Sequence, residues 1–101
     1  MNLSYTRTLR TLSSERFLLA KDGRDVAALD LHYLNNNHVS GTVIVFAGAG
    51  IADTDIPDLL AEIDERLLPN VRLTDHDLDF TVVIGQVVGA FAPGAPEEAA
   101  K

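Results

Sequence analysis

Cysteine is absent from this chain, which excludes a disulfide framework, thiolate zinc sites and cysteine nucleophiles together. The composition is compatible with a reducing cytoplasm, the compartment expected here. No run approaches the roughly 18 apolar residues of a membrane-spanning helix, so no membrane partner is expected. Basic charge is scarce and unevenly placed. Residues 1–24 hold five basic and two acidic side chains, a balance of +3, while the remainder holds three basic and thirteen acidic, a balance of −10. Nucleic acid repels such an acidic body, and the scattered arginines do not form the basic stripe that binding requires, so no nucleic-acid partner is expected. The basic amino-terminal segment is expected to lie along acidic surface of its own or a neighbouring chain. Residues 1–14 lack acids and are rich in Thr, Ser and Arg, a composition shared with organelle transit peptides. The alternation through Leu3 and Tyr5 reads more simply as an edge strand, and the apolar stretch of a secretory signal is missing.

What remains is an ordered globular composition, 47% hydrophobic and 23% charged, in 101 residues. That length gives one core and a high ratio of surface to volume. Residues 1–92 read as a single domain, and residues 93–101, made of Pro, Gly, Ala, Glu and Lys, as a disordered tail.

Punctuation along the chain divides it into elements. Lys21-Asp22-Gly23-Arg24 is an Asp-Gly turn between apolar runs. A three-residue loop, Lys21 to Gly23, pairs Ala20 with Arg24 and sets Phe17, Leu19, Ala27, Leu29 and Leu31 on one face; the alternative for residues 13–21 is a short helix capped by Ser13. A strand follows from Asp25 to Leu34, then a turn at Asn35-Asn36-Asn37, whose residues tolerate positive φ. The next strand spans Val39 to Ala47. A helix is predicted from Asp55, its cap, with Ile56, Leu59, Leu60, Ile63 and Leu67 forming the apolar stripe and Pro69 ending it. Val71 to Leu73 reads as a short strand, Asp75 to Asp77 as a turn, and Leu78 to about Phe91 as a long final strand bent at Gly85 and Gly89. The predicted class is α+β: a mixed, mostly antiparallel sheet of four to five strands with one amphipathic helix, in βββαβ order. A right-handed crossover makes the last strand parallel to the one before the helix.

Candidate chemistry is sparse. Gly48-Ala49-Gly50 follows a strand and leads toward a helix, as in the first half of a dinucleotide-binding fingerprint. The third glycine position holds Asp53, and Asp55 and Asp58 add negative charge where a phosphate needs bare N–H groups. Gly48, Gly50, Asp53 and Thr54 are therefore a ligand-binding alternative to a plain structural loop. The acidic runs 53–58 and 75–79 depart from the twelve-residue calcium loop, and no metal or cofactor is expected. Asp30 and His32 share one strand face, the spacing of an acid–base pair, with His38 and His76 as further donors on loops. They are the catalytic candidates, yet no serine motif or second histidine at fixed spacing supports them, and the chain is not expected to be an enzyme.

A geometric mismatch is more telling. One helix, about 10 Å wide, covers roughly two strands spaced about 4.8 Å apart. Both sides of the strands at 42–47 and 80–88 are nonetheless apolar, as in sheets covered on both faces. Leaving such side chains in water forgoes roughly 1.5 to 3 kcal/mol each. A second copy is the expected cover, most simply in a two-fold dimer, with another protein as the alternative partner. The interface is assigned to Ile44, Phe46, Val82, Ile84 and Val88, and to Val83 and Val87 if the register is shifted. The leading functional expectation is a non-catalytic, homo-oligomeric interaction or adaptor module. The alternatives are a small-ligand or nucleotide-binding protein using Gly48 to Thr54, and a small hydrolase or isomerase using Asp30 and His32.

Overall fold

The structure is a computed structural model that describes residues 1–68, 77–89 and 91–92. Four strands follow one another antiparallel: β1 (Ser4–Arg10), β2 (Ser14–Lys21), β3 (Arg24–Tyr33) and β4 (Val39–Phe46). The helix α1 (Ile56–Leu67) then carries the chain to β5 (Leu78–Gly85), which lies beside β4 and parallel to it. The strands thus stand in sequence order across one five-stranded mixed sheet. This is the predicted α+β class, with one strand more before the helix than the βββαβ order. The additional strand is β1, the edge strand read within residues 1–14, and it is set off from β2 at residues 11–14, where the Thr11 N–H donates to the Ser14 carbonyl at 2.8 Å and the two hydroxyls meet at 2.7 Å.

Residues 14–21 are strand, not helix. Their turn differs from the predicted three-residue loop, because Lys21 pairs with Arg24 and only Asp22 and Gly23 lie between. Both have positive φ, 53° and 79°, which is the type I′ geometry that matches the twist of the flanking strands. A bulge then restores the expected facing. Ala20 opposes Asp25 but Leu19 opposes Ala27, so Val26 is the extra residue, and Phe17, Leu19, Ala27 and Leu29 share one side. The asparagine turn forms as expected, with Asn37 at φ 63° and the Leu34 N–H donating to the His38 carbonyl.

The core lies between α1 and one face of the sheet. Leu19, Leu29, Val43 and Val45 are fully buried there with Leu59 and Ile63 of the helix. The helix stripe predicted from the sequence is the one that docks, although its start is built differently. Asp53–Asp55 forms a short 3-10 turn, and the Asp55 carboxylate accepts the Ala52 N–H at 2.9 Å instead of capping α1.

At its far end α1 is fastened to β1. The Glu62 carboxylate accepts the Leu3 N–H at 3.1 Å and the Tyr5 hydroxyl at 3.0 Å. Arg66 donates to the Leu3 carbonyl and lies 5.0 Å over the Tyr5 ring. The helix therefore reaches toward the β1 edge, and the far end of β5 is left partly uncovered. On the helix side Val43 is inaccessible, whereas Ile84 is 52% exposed. No helix among the described residues is long and apolar enough to cross a membrane. The predicted strand at Val71–Leu73, most of the turn after it and the tail at 93–101 lie outside the described residues.

Candidate functional site

The face of the sheet opposite α1 is the larger surface left to explain. Alternation along each strand directs Leu18, Ala28, Ile44, Phe46 and Val83 to this open face. Gly85 ends β5, so the predicted long strand stops short, and Val87, Gly89 and Phe91 beyond it come over the face. Between them lies a cleft of about 540 Å³, lined chiefly by Leu18, Ala28, Ile44, Phe46, Val87 and Phe91.

Arg16, Asp30 and Thr42 form the polar part of this lining. Asp30 accepts two hydrogen bonds from the guanidinium directly opposite on β2, from Nε at 2.7 Å and Nη2 at 3.2 Å. That bond and the carboxylate's charge raise the Arg16 pKa. His32 is exposed and stands opposite Ser14 and Ser40. Its expected pairing with Asp30 is not formed among the described hydrogen bonds. A half-solvated ion pair of this kind adds little stability. It does occupy the carboxylate that acid–base chemistry would need.

The glycine loop keeps both glycines in the left-handed region, Gly48 at φ 79° and Gly50 at φ 85°. Beside it is a cleft of about 170 Å³, lined by Arg24, Asp25, Val26, Phe46, Ala47 and Gly48 among others. A drug-sized ligand needs roughly 300 to 1,000 Å³. Gly50, Asp53 and Thr54 lie outside the lining of this cleft, which among the described residues takes in only Gly48 of the four.

The assigned interface residues are divided between the two faces. The register pairs Val43 with Val82, Ile44 with Val83 and Val45 with Ile84. Ile44 and Phe46 therefore share the open face with Val83, and the alternative residue Val87 lines the cleft above them. Val82 packs against the core on the helix side. Ile84 is on that side too, half exposed, and Val88 lies beyond the strand at 94% exposure.

Two polar clusters are not evident in the sequence pattern. At the start of β5, Asp79 accepts hydrogen bonds from Ser40 at 2.9 Å and from His38, and these bonds lower its pKa. The second lies on the helix side, where buried Glu15 receives the Tyr33 hydroxyl and the half-exposed guanidinium groups of Arg7 at 3.2 Å and Arg10 at 2.9 Å. The basic amino-terminal residues thus meet acidic groups of their own chain. Burial raises the Glu15 carboxyl pKa, but the bonds from Tyr33, Arg7 and Arg10 outweigh it and the net shift is downward. Burial and then the bond to Glu15 push the Tyr33 phenol up to about 12.

A depressed carboxyl stabilises the fold above its ordinary pKa, and the stabilisation disappears as pH falls through the folded value. Glu15→Gln should therefore cost about 1 to 2 kcal/mol at neutral pH, since charge-assisted bonds are lost. The gap between variant and parent should close below the ordinary glutamate range. Urea denaturation at neutral and acidic pH measures both, and a gap that persists in acid would mean the charge of Glu15 is not the cause.

Among the described residues no three metal-ligating side chains come together. The Asp64 Oδ1 atom is buried without a partner among the described residues, and burial raises that carboxyl's pKa. No protein-family model, curated protein or solved structure matches this chain.

Proposed function

We propose that this chain is a non-catalytic, self-associating interaction module whose contact surface is the β5 side of the sheet. One observation carries the reading. Of the nine large hydrophobic side chains exposed among the described residues, five lie between positions 83 and 91: Val83, Ile84, Val87, Val88 and Phe91. Scattered apolar residues are ordinary on a protein surface, whereas this concentration in one stretch of chain, on both sides of β5 and over the adjoining cleft, supports a contact site there. The engagement of Asp30 by Arg16 counts against the hydrolase alternative, and the narrow cleft beside Gly48 counts against nucleotide binding.

Light scattering at micromolar concentration tests the reading. An oligomer is expected, and a monomer at all concentrations overturns it. Ile84→Asp should retain the folded circular dichroism spectrum, because a half-exposed carboxylate stays hydrated in the monomer. It should weaken association about tenfold or more, because the partner would desolvate that charge. The cleft over the open face favours a second reading, a site for a small apolar ligand. Its volume of about 540 Å³ falls within the range of such sites. Saturable binding of an apolar fluorophore with no change in mass would support that reading over self-association.

A further inference from the structure

We infer that two copies of this chain pair through the outer edges of β5, antiparallel and about a two-fold axis, joining their five-stranded sheets into one. The inference rests on the self-associating reading and supplies its geometry.

The two edges of the sheet differ in a way that points to this role. Exposed strand edges invite pairing, and proteins protect them with bulges and charged side chains. The β1 edge has both. Its register shifts between Arg7 and Leu9, leaving Thr8 as a bulge, and Arg7 and Arg10 flank the irregularity. The β5 edge has no bulge and a single charge, Asp79, at its start. Its register on β4 is unbroken, and no charged residue occurs from Phe80 to Ala92.

The direction of the main-chain groups on β5 follows from its ladder. The Val39 N–H donates to the Asp77 carbonyl and the Ala47 N–H to the Gly85 carbonyl, each at 2.8 Å. In a parallel ladder alternate residues turn both N–H and C=O toward the same neighbour. Asp79, Thr81, Val83 and Gly85 therefore face β4, and Leu78, Phe80, Val82 and Ile84 turn their main-chain groups outward. Among the described residues nothing pairs with that outward row.

A second copy satisfies this edge in kind. Antiparallel pairing sets the outward residues of one copy against those of the other, bringing Phe80, Val82 and Ile84 together on the helix side. Thr81 and Val83 adjoin on the open side, and β-branched and aromatic cross-strand neighbours of this sort stabilise a sheet. Charge points the same way. Each copy carries −7 and repels its twin over most of the surface, but the pairing edge carries only Asp79. Antiparallel order holds the two Asp79 carboxylates at opposite ends of the ladder. A stable interface hides about 800 Å² per partner. Half-exposed Val83 on the open side and Ile84 on the helix side supply apolar area along the ladder.

Amide hydrogen exchange on the intact chain, compared between concentrated oligomer and diluted monomer, tests the geometry. The Phe80, Val82 and Ile84 amides should be protected only in the oligomer, whereas the Thr81 and Val83 amides, held by β4, should be protected in both. Ile84→Pro removes one outward donor per copy without touching the β4 ladder. With the circular dichroism melt retained, it should raise the dissociation constant about a hundredfold. If the variant fails to fold, the exchange pattern alone decides. An oligomer in which those three amides exchange as fast as in the monomer overturns the edge pairing and leaves self-association standing. A monomer at every concentration overturns both.

Discussion

Ile63→Asp should yield a chain with no cooperative thermal transition. Ile63 is fully buried where α1 meets the sheet, and a domain of this length has about 5 to 15 kcal/mol of stability in total. Truncating such a side chain costs about 2 to 5 kcal/mol, and burying an unpaired carboxylate in its place adds several more. The same substitution at half-exposed Ile84 is expected to spare the fold, so the pair separates core from contact surface. A cooperative melt of Ile63→Asp within a few degrees of the parent would show that α1 is not held through this residue.

The second large effect is expected at Gly41, the only glycine within β4. It lies between Leu31 of β3 and Phe80 of β5, and the Phe80 ring covers it. A Cβ at this position would stand 2.5 Å from two Phe80 ring carbons and 3.4 Å from a Leu31 methyl. Gly41→Val must therefore expel the ring from its place on the sheet. Overpacking of this kind costs about 2 kcal/mol, or roughly 10 °C in a small domain. The loss should shrink when Phe80→Ala is combined with it, since the two residues share one space. Additive losses would locate the strain elsewhere.

The sequence made the helix legible because Leu59 and Ile63 recur with helical period and both sit in the core. The parallel crossover was legible too, since handedness restricts how a strand can return after a helix. Facing along β2 and β3 was read correctly from alternation, while the register was not. A two-residue turn followed by a bulge at Val26 gives the same facing as a three-residue loop, and pattern alone does not separate them. The β1–β2 turn was missed because Thr and Ser close it with side-chain hydrogen bonds, without a Gly, Pro or Asn to mark it.

The division of the assigned interface between two faces has a similar origin. Which side Val82 and Val83 take depends on how β5 meets β4 after the crossover, and no residue near position 78 encodes that alignment. At the candidate site, Asp30 and His32 were paired by their spacing in sequence. Residues two apart on one strand lie nearly 7 Å from each other, whereas directly opposed residues are about 5 Å apart. Arg16 is the nearer neighbour, and its planar fork suits a carboxylate better than an imidazole does.

The placement of β5 has a further consequence, for the order in which the sheet assembles. The first three pairings each close across a few residues: three between β1 and β2, two between β2 and β3, and five between β3 and β4. Joining β5 to β4 must close 31 residues, from Ala47 to Asp77, which makes it the most entropically demanding contact in the sheet. Contacts between distant segments form slowly, so the four-strand meander assembles sooner than the chain can return its last strand. During that interval β4 is itself an open, uncharged edge, and the strand that will cover it is still part of an unfolded segment.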